Sequence, residues 1–275
     1  VHLELLPFTQ SELDGRPIQE AVYHSLQGNW ALLKSRAKHD GKKILMRYLE
    51  TGGLPGVCFI RSVALRAQRF ESQLETILDR DLRLILATKL PFQTLRNVLV
   101  NLSLMQGEPL DLSALARKTR VSTPTLRGLL RAFESIFLIR TLGTEGTERR
   151  PVIFLEDQGE ASHLSGRPLD PLSDLTRFLF AQIRSPLRLS ESGTIGEIFQ
   201  YRTRGGAHVP LAVRQGPRIL GLIPLLEANP GRQAMASATS FLKSYKDGRI
   251  VFIHPGKEFR VLSDTMATVS VTAFS

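Results

Sequence analysis

Apolar residues between Leu110 and Arg140 follow the pattern of a helix-turn-helix. Leu112, Leu115 and Ala116 recur at helical spacing, and a second helix is predicted to start at Ser122-Thr123-Pro124. A hydroxyl at the N-cap accepts from the unpaired N–H groups of the first turn, and proline fits there because it needs no intrahelical donor. The apolar stripe predicted for this second helix comprises Leu126, Leu129, Leu130, Phe133 and Phe137.

The other face of the second helix is polar, with Arg127, Gly128 and Arg131. After it, GTEGTERR followed by PVIFLE predicts a hairpin of the kind that forms the wing of a winged helix. One interpretation places the helix in a DNA major groove, and the other makes the module a small unit for packing between domains. Under the first, the candidate DNA-binding residues are Arg120, Thr123, Thr125, Arg127, Arg131, Arg149 and Arg150.

The chain before this module is predicted to be mainly helical. The predicted elements are a strand over 1–6, a helix capped by Thr9 or Ser11, helical segments over 18–50, a long helix over about 62–90, and a helix from Pro91 to about Met105. The chain after it is mixed. The predicted elements there are a helix over 169–183, strands over 197–203, 207–213 and 219–227, a helix over 232–246, a strand over 250–253, and a last short strand within 259–274. Residues 219–226 are almost continuously apolar, as in a central strand buried on both faces.

The composition of the chain indicates a positive net charge and a protein of a reducing compartment. The 275 residues carry 36 Lys and Arg against 26 Asp and Glu, a net charge of +10 that suits a polyanionic partner without giving specificity. The single Cys58 excludes an internal disulfide and a multi-cysteine zinc site, and it fits the cytoplasm. No apolar run approaches the ~20 residues that span a bilayer, so no membrane partner is expected.

Five segments together resemble the C-terminal half of a large group of prokaryotic AAA+-type ATPases. They are LETGGLPGV (49–57), FESQLETILDRDL (70–82), LDLSALARKTRVSTPTLRGLLRAFES (110–135), IFLEDQG (153–159) and YRTRGGAHV (201–209). In that family a P-loop ATPase domain precedes a helical lid, a winged helix and a domain of unknown function with a restriction-endonuclease-like fold. The resemblance implies an α+β chain with a helical segment (1–106), a winged helix (107–160) and a small nuclease-like domain with a central mixed sheet (161–275). It also implies that this chain is a piece or a natural remnant of a longer protein.

The ATPase chemistry itself is not encoded here. The sequence contains no G-x-x-x-x-G-K-[ST], the loop whose backbone wraps phosphates while its lysine reaches them. We therefore expect no cofactor in this chain, and ATP and Mg²⁺ only in the missing ATPase domain.

The nuclease motif of the resembled family is degenerate in this sequence. That family's hairpin commonly supplies an Asp, and its next strand a Glu and a Lys that together hold Mg²⁺. Here Pro210 and Leu226 stand in place of the two metal-binding acids and Ala228 in place of the lysine, while His208 replaces a further Glu. Since proline and leucine cannot bind a metal, we predict no metal site and no catalytic residues. The alternative is a site improvised from Glu227, His208 and Asp174.

The sequence thus predicts a non-catalytic region that acts in recognition and assembly. The leading hypothesis is a DNA-associated module with an inactive nuclease fold. A second is a protein-interaction scaffold that docks the upstream ATPase domain or another protein. A third is an active Mg²⁺-dependent nuclease.

Overall fold

The computed structural model describes residues 5–17, 20–34, 40–188 and 196–275, and it is an α+β structure. The helices are α1 (Gln10–Leu13), α2 (Ala21–Gln27), α3 (Trp30–Lys34), α4 (Gly41–Thr51), α5 (Val63–Thr76), α6 (Leu82–Ile85), α7 (Phe92–Ser103), α8 (Leu112–Thr119), α9 (Thr123–Ser135), α10 (Gln158–Ser165), α11 (Pro171–Arg188) and α12 (Arg232–Ser244). A π-helical turn at Ile77–Asp81 joins α5 to α6, and a 3₁₀ turn occupies Val271–Phe274.

The strands form a two-stranded and a seven-stranded sheet. They are β1 (Ile139–Leu142), β2 (Thr144–Gly146), β3 (Val152–Leu155), β4 (Glu197–Arg202), β5 (His208–Gln215), β6 (Arg218–Pro224), β7 (Gly248–His254), β8 (Arg260–Ser263) and β9 (Met266–Ser270). β1 pairs with β3, and the large sheet has the order β2-β4-β5-β6-β7-β9-β8. β4, β5 and β6 form an antiparallel meander, whereas β7 is parallel to both β6 and β9.

The large sheet is buried on both faces at its centre. Leu220 and Leu222 of β6 join one apolar cluster, and Ile223 of the same strand joins another on the opposite face. α11 and the N-terminal helices α2 to α4 cover the first face, and α12 covers the second. The prediction of a doubly buried central strand is therefore confirmed, although β6 ends at Pro224 rather than Glu227.

A second core holds the helices of the middle of the chain. It is built by residues from α5 to α10 together with β1 and β3, and α9 contributes Leu126, Leu129 and Phe133 to it. α10 contacts both α4 and α7, so it joins this helical core to the layer that covers the sheet.

Several predicted boundaries are wrong for identifiable reasons. The long helix ends at Ile85 instead of Leu90, because the Arg83 guanidinium donates to the carbonyls of Thr88 (3.0 Å) and Leu90 (3.2 Å) and so holds a non-helical segment. α11 continues through Pro186, since the apolar spacing that buries Ile183 and Leu187 outweighs the hydrogen bond lost at proline.

The two ends of the described structure also refine the sequence prediction. The predicted strand over 1–6 lies mostly outside the described residues, and Leu5 and Leu6 are not in a strand. The cap of the first helix is Thr9, whose side chain forms a capping box with Glu12. The tail contains two strands, β8 and β9, where the sequence predicted one.

A buried carboxylate ties the N-terminal segment to α10. Asp157 is 1% exposed and accepts from the backbone N–H groups of Gly53 (2.6 Å), Leu54 (3.1 Å) and Glu160 (2.8 Å). Gly53 in turn accepts at its carbonyl from the N–H of Phe8 (2.8 Å). The loop therefore satisfies a buried charge with backbone donors, and this requires an unusually close approach of main chain to side chain.

Three glycines make that approach possible. A Cβ at Gly53 would overlap the backbone of Phe8, and a Cβ at Gly52, where φ is 66°, would overlap the Asp157 carboxylate. A Cβ at Gly159 would meet the backbone of Thr51 and Gly52 from the other side. The Gly-Gly and Asp-Gln-Gly segments of the sequence are thus the two halves of one contact.

We predict that Gly53→Ala lowers the free energy of unfolding by at least about 2 kcal/mol, because the added methyl must push apart backbone that has no room to move. Urea titrations of the wild-type protein and of Gly53→Ala measure this difference. Gly231→Ala is the control, since a Cβ there meets nothing within 4 Å. Equal losses in both variants would show that the close approach has no energetic weight.

Glu160 lies next to this contact and is 3% exposed. Its Oε1 has no hydrogen-bond partner among the described residues. Burial, followed by the charge of Asp157, raises the pKa of Glu160 from 4.5 to about 8. The folded protein therefore keeps this carboxyl protonated at a pH at which the unfolded chain has ionised it.

A carboxyl with a raised folded-state pKa weakens the fold as pH rises from the unfolded pKa towards the folded one, here from 4.5 to about 8. We predict that Glu160→Gln flattens this decline and is more stable than wild type by a few kcal/mol at pH 8. Unfolding curves between pH 5 and pH 8 test it. Glu75→Gln, which removes an exposed carboxyl on α5, is the matched control. A constant difference between wild type and Glu160→Gln across that range would refute the assignment.

Candidate nucleic-acid interface

The two helices predicted around Ser122 are confirmed as α8 and α9. The Asp111 carboxylate caps α8 by accepting from Ala114 N–H (2.8 Å). Ser122 caps α9 by accepting from Thr125 N–H (3.3 Å), and Pro124 stands in its first turn. Between the helices, Arg120 takes a left-handed conformation with φ of 57°. Local sequence therefore fixes where both helices start.

The buried face of α9 matches the predicted stripe except at its end. Leu126, Leu129 and Phe133 are fully buried, but Phe137 is 60% exposed. Phe137 lies beyond the helix, with φ of 56°, because Leu138 N–H bonds the Phe133 carbonyl and closes the helix in a Schellman turn. The turn rotates Phe137 outward, so its assignment to the apolar stripe was wrong.

The outward side of α9 is cationic and open. Thr125, Arg127 and Arg131 are exposed, and Thr123 is half-buried. Arg120 is exposed at the turn, so the residues that the sequence singled out on α9 and the turn lie within one structural unit. In the described part of the chain Arg120, Arg127 and Arg131 form no ion pair and no side-chain hydrogen bond.

α8 adds two cations that the sequence analysis did not select. Arg117 and Lys118 are exposed in its last turn, beside the Arg120 turn. Their positions at the end of a predicted helix were visible in the sequence, and basic residues near a helix C-terminus also have an ordinary role beside its dipole. Arg117 acts on Asp111, whose pKa is lowered mainly by its capping hydrogen bond and further by Arg117.

The predicted hairpin exists, but its connection is not a free loop. β1 and β3 pair antiparallel, with Ile139 opposite Leu155 at one end and Leu142 opposite Val152 at the other. The residues between them enter the large sheet, where β2 pairs parallel with β4. The Glu145 carboxylate accepts from Arg214 (2.8 Å) and from the Tyr245 hydroxyl, and this fixes the edge strand. The loop that was predicted to reach towards DNA is thus bound to the sheet.

Arg150, unlike Arg149, differs from the cations of α9. Both are exposed, but the Arg150 guanidinium bonds Glu148 (3.1 Å). Hydrogen bonds from Arg150 lower the pKa of the Glu148 carboxyl. The charge of Arg150 also helps to lower the pKa of Asp111, after the hydrogen bond from Ala114. Arg150 is thus already paired with Glu148.

The four positions of the degenerate nuclease motif do not form a cation site. His208 begins β5, and the Arg202 guanidinium lies 3.3 Å from its Nε2. Burial, together with the charge of Arg202, lowers the pKa of His208 to about 4. A ring that faces an arginine is poorly suited to bind a metal ion.

Pro210 is explained by strand geometry rather than by chemistry. β4 and β5 change register there, so that Pro210 and Leu211 of β5 both oppose Gln200 of β4. Proline has no N–H for the ladder and is tolerated in a sheet at such a bulge. Position 210 thus shapes the strand and offers no ligand.

Leu226, Glu227 and Ala228 lie in the bend after β6, so the predicted strand does not carry them. Leu226 is 52% exposed. The alternative site does not assemble either: Asp174 pairs with Arg177 (2.9 Å) on α11, across the sheet from the α12 residue Ser237 that bonds His208. No group of three His, Cys, Asp or Glu within the described ranges could hold a metal ion. The residues present do not fit the Mg²⁺ of the resembled nuclease fold.

A family described as a domain of unknown function, DUF8612, matches residues 42–170. The match runs from α4 to the loop before α11, a little under half of the chain, and it contains the α8–α9 pair and both segments of the Asp157 contact. No curated protein and no solved structure matches the chain. Among the described helices none is long and apolar enough to cross a membrane.

Gly128 stands on the side of α9 that faces the chain after α6. A Cβ at this position would lie 3.9 Å from Leu86 Cδ1, an ordinary van der Waals contact. We predict that Gly128→Ala raises the free energy of unfolding by about 0.5–1 kcal/mol, since alanine favours helix and loses less backbone entropy. Thermal and urea unfolding check this. A destabilised variant would mean that Leu86 cannot accept even one methyl group.

Proposed function

We propose that this chain is the region of an AAA+-type ATPase that follows the ATPase core, and that α8 and α9 bind duplex DNA. The observation that carries the proposal is the cationic outward side of these helices. Arg120, Arg127 and Arg131 are exposed and lack acidic partners in the described structure, while the opposite side of α9 is fully packed. Duplex DNA attracts such a surface because each neutralised phosphate releases counterions.

The arrangement supports a docking mode in which α9 enters the major groove. Its first turn presents the exposed Thr125, whose hydroxyl shares a hydrogen bond with Ser122 Oγ (2.8 Å) and can also contact phosphate or base edges. Arg127 and Arg131 follow along the same helix. β1 follows α9 directly and pairs with β3, which supports a winged-helix assignment. The wing differs from a free one, however, because β2 is held on the large sheet. We therefore assign Arg149 and Arg150 a smaller share of binding than the α9 arginines.

The C-terminal part is proposed to be an inactive restriction-endonuclease-like domain. The order helix, meander, helix and parallel strand, in α11, β4–β6, α12 and β7, supports that fold. The contacts of His208 and the bulge at Pro210 favour a structural role over cleavage. The proposal includes a cytoplasmic location, which the free Cys58 supports.

A protein-docking function is the second candidate. Phe137 is exposed in a left-handed conformation that is costly for a bulky residue, and Leu84 is 80% exposed on α6. Exposed apolar side chains of this kind are typical of protein interfaces when they are contiguous. This candidate predicts no dependence of binding on Arg127 or Arg131.

We predict that Arg127→Ala/Arg131→Ala weakens binding to a labelled duplex and reduces the magnitude of the slope of log K against log salt by about 1.8, since about 0.9 is lost per phosphate contact. Fluorescence anisotropy over a salt series, with and without Mg²⁺, measures the slope, and a gel reports any cleavage. Arg218→Ala/Arg232→Ala removes the same charge from two exposed sites away from α9 and serves as the matched control.

Four results would count against the proposal. An unchanged slope in Arg127→Ala/Arg131→Ala, or an equal loss in the control, would remove α9 from the interface. Absence of binding at low salt would favour the docking candidate. Mg²⁺-dependent cleavage would contradict the assignment of an inactive nuclease fold.

A further inference from the structure

A cavity of about 540 Å³ opens between α4, α10 and the segment that leads into α11. Its volume lies within the range of about 300–1,000 Å³ typical of small-molecule sites. It is separate from α8 and α9, none of whose residues line it. We call it the α4–α10 cavity.

The free charges around this cavity are positive. Lys43 and Arg47 of α4 and Arg167 of the loop after α10 line it and are exposed. None of the three forms an ion pair or side-chain hydrogen bond within the residues that the structure describes. Lys43 and Arg47 are four residues apart on one helical face, where two like charges destabilise a helix slightly. Their shared orientation therefore favours an anion between them.

The acidic groups of the cavity are already neutralised from inside. Glu50 forms an ion pair with the buried Arg66, and Asp174 forms one with Arg177, whose side chain is 4% exposed. Arg177 also donates to Ser162 Oγ (3.0 Å), so its guanidinium is held in place at the cavity wall. These pairs leave Lys43, Arg47 and Arg167 without an ion-pair partner among the described residues. Lys43 and Arg47 also line a neighbouring cavity with Asp14 and Asp40, but Asp14 pairs with Arg16 (2.8 Å) and Asp40 caps α4.

The remaining lining is apolar. Leu49 is buried beneath the cavity, and Met46 and Pro168 are exposed at its surface. A methionine side chain is polarisable and adapts to the shape of a flat or aliphatic group. A purely inorganic anion would leave this apolar surface unused, whereas an organic anion would cover it.

We propose that the α4–α10 cavity binds an organic phosphate of the nucleoside diphosphate class. The phosphates lie between Lys43, Arg47 and Arg167, because arginine and lysine donate charge-assisted hydrogen bonds to phosphate oxygens. The organic part covers Met46, Leu49 and Pro168. This binding is independent of the proposed DNA contact, since the two use different residues, and either can fail alone.

Isothermal titration calorimetry with ADP, GDP, CDP and UDP, and with adenosine and inorganic pyrophosphate as the separate halves of ADP, tests this proposal. We expect at least one of the diphosphates to bind more tightly than either half. We expect Lys43→Gln/Arg47→Gln, and separately Arg167→Gln, to weaken that binding by about tenfold or more. Lys42→Gln is the matched control, because Lys42 is exposed on the same helix and lines neither this cavity nor the neighbouring one beside Asp14 and Asp40.

The proposal is overturned if no nucleoside diphosphate binds at millimolar concentration, or if Lys42→Gln weakens binding as much as the cavity variants do. Equal affinity for pyrophosphate and the nucleoside diphosphates would show that the organic part of the ligand makes no contribution to binding. The DNA salt slope of Lys43→Gln/Arg47→Gln should equal that of wild type. A slope reduced by about 1.8 would make these cations part of a DNA surface instead.

Discussion

The structure depends most on the contact between the Asp157 carboxylate and the backbone of Gly53. A buried carboxylate is costly unless donors surround it, and here main-chain N–H groups from two distant segments supply them. The contact joins the loop after α4 to the start of α10, and α10 packs on both α4 and α7. The helical core that carries α8 and α9 is thereby fixed relative to the layer that covers the sheet. Burial at this junction also raises the pKa of Glu160, so that its carboxyl stays protonated beside Asp157.

The sequence predicts those features that neighbouring residues determine. Ser122 and Pro124 mark the start of α9 by cap chemistry, and the apolar run of β6 indicates a doubly buried strand, as the structure shows. It does not predict features that need distant partners. The 52–54 loop looks like a simple breaker until Asp157, more than one hundred residues later, is seen to accept from it. The pairing of β2 with β4 is hidden for the same reason.

The same distinction between neighbouring and distant residues separates the candidate sites that could be predicted from those that could not. Arg127 and Arg131 were predictable because the period of an amphipathic helix assigns them to the side opposite Leu126. The α4–α10 cavity was not, since Lys43 and Arg167 meet only through packing of helices far apart in the chain. At His208, the family resemblance implied that a Glu was replaced, but only the structure shows Arg202 against its ring. The prediction for Phe137 was wrong because the spacing of apolar residues does not show where a Schellman turn ends the helix.

The central claim is that duplex DNA covers α9 and the turn before it. Hydrogen–deuterium exchange of the chain with and without a saturating duplex tests it most directly, because it reports the covered surface without any substitution. The account predicts slower exchange across the Arg120 turn and the first turns of α9, with residues 143–151 little changed. Protection confined to the bend after β6 or to α12, with α9 unaffected, would contradict it.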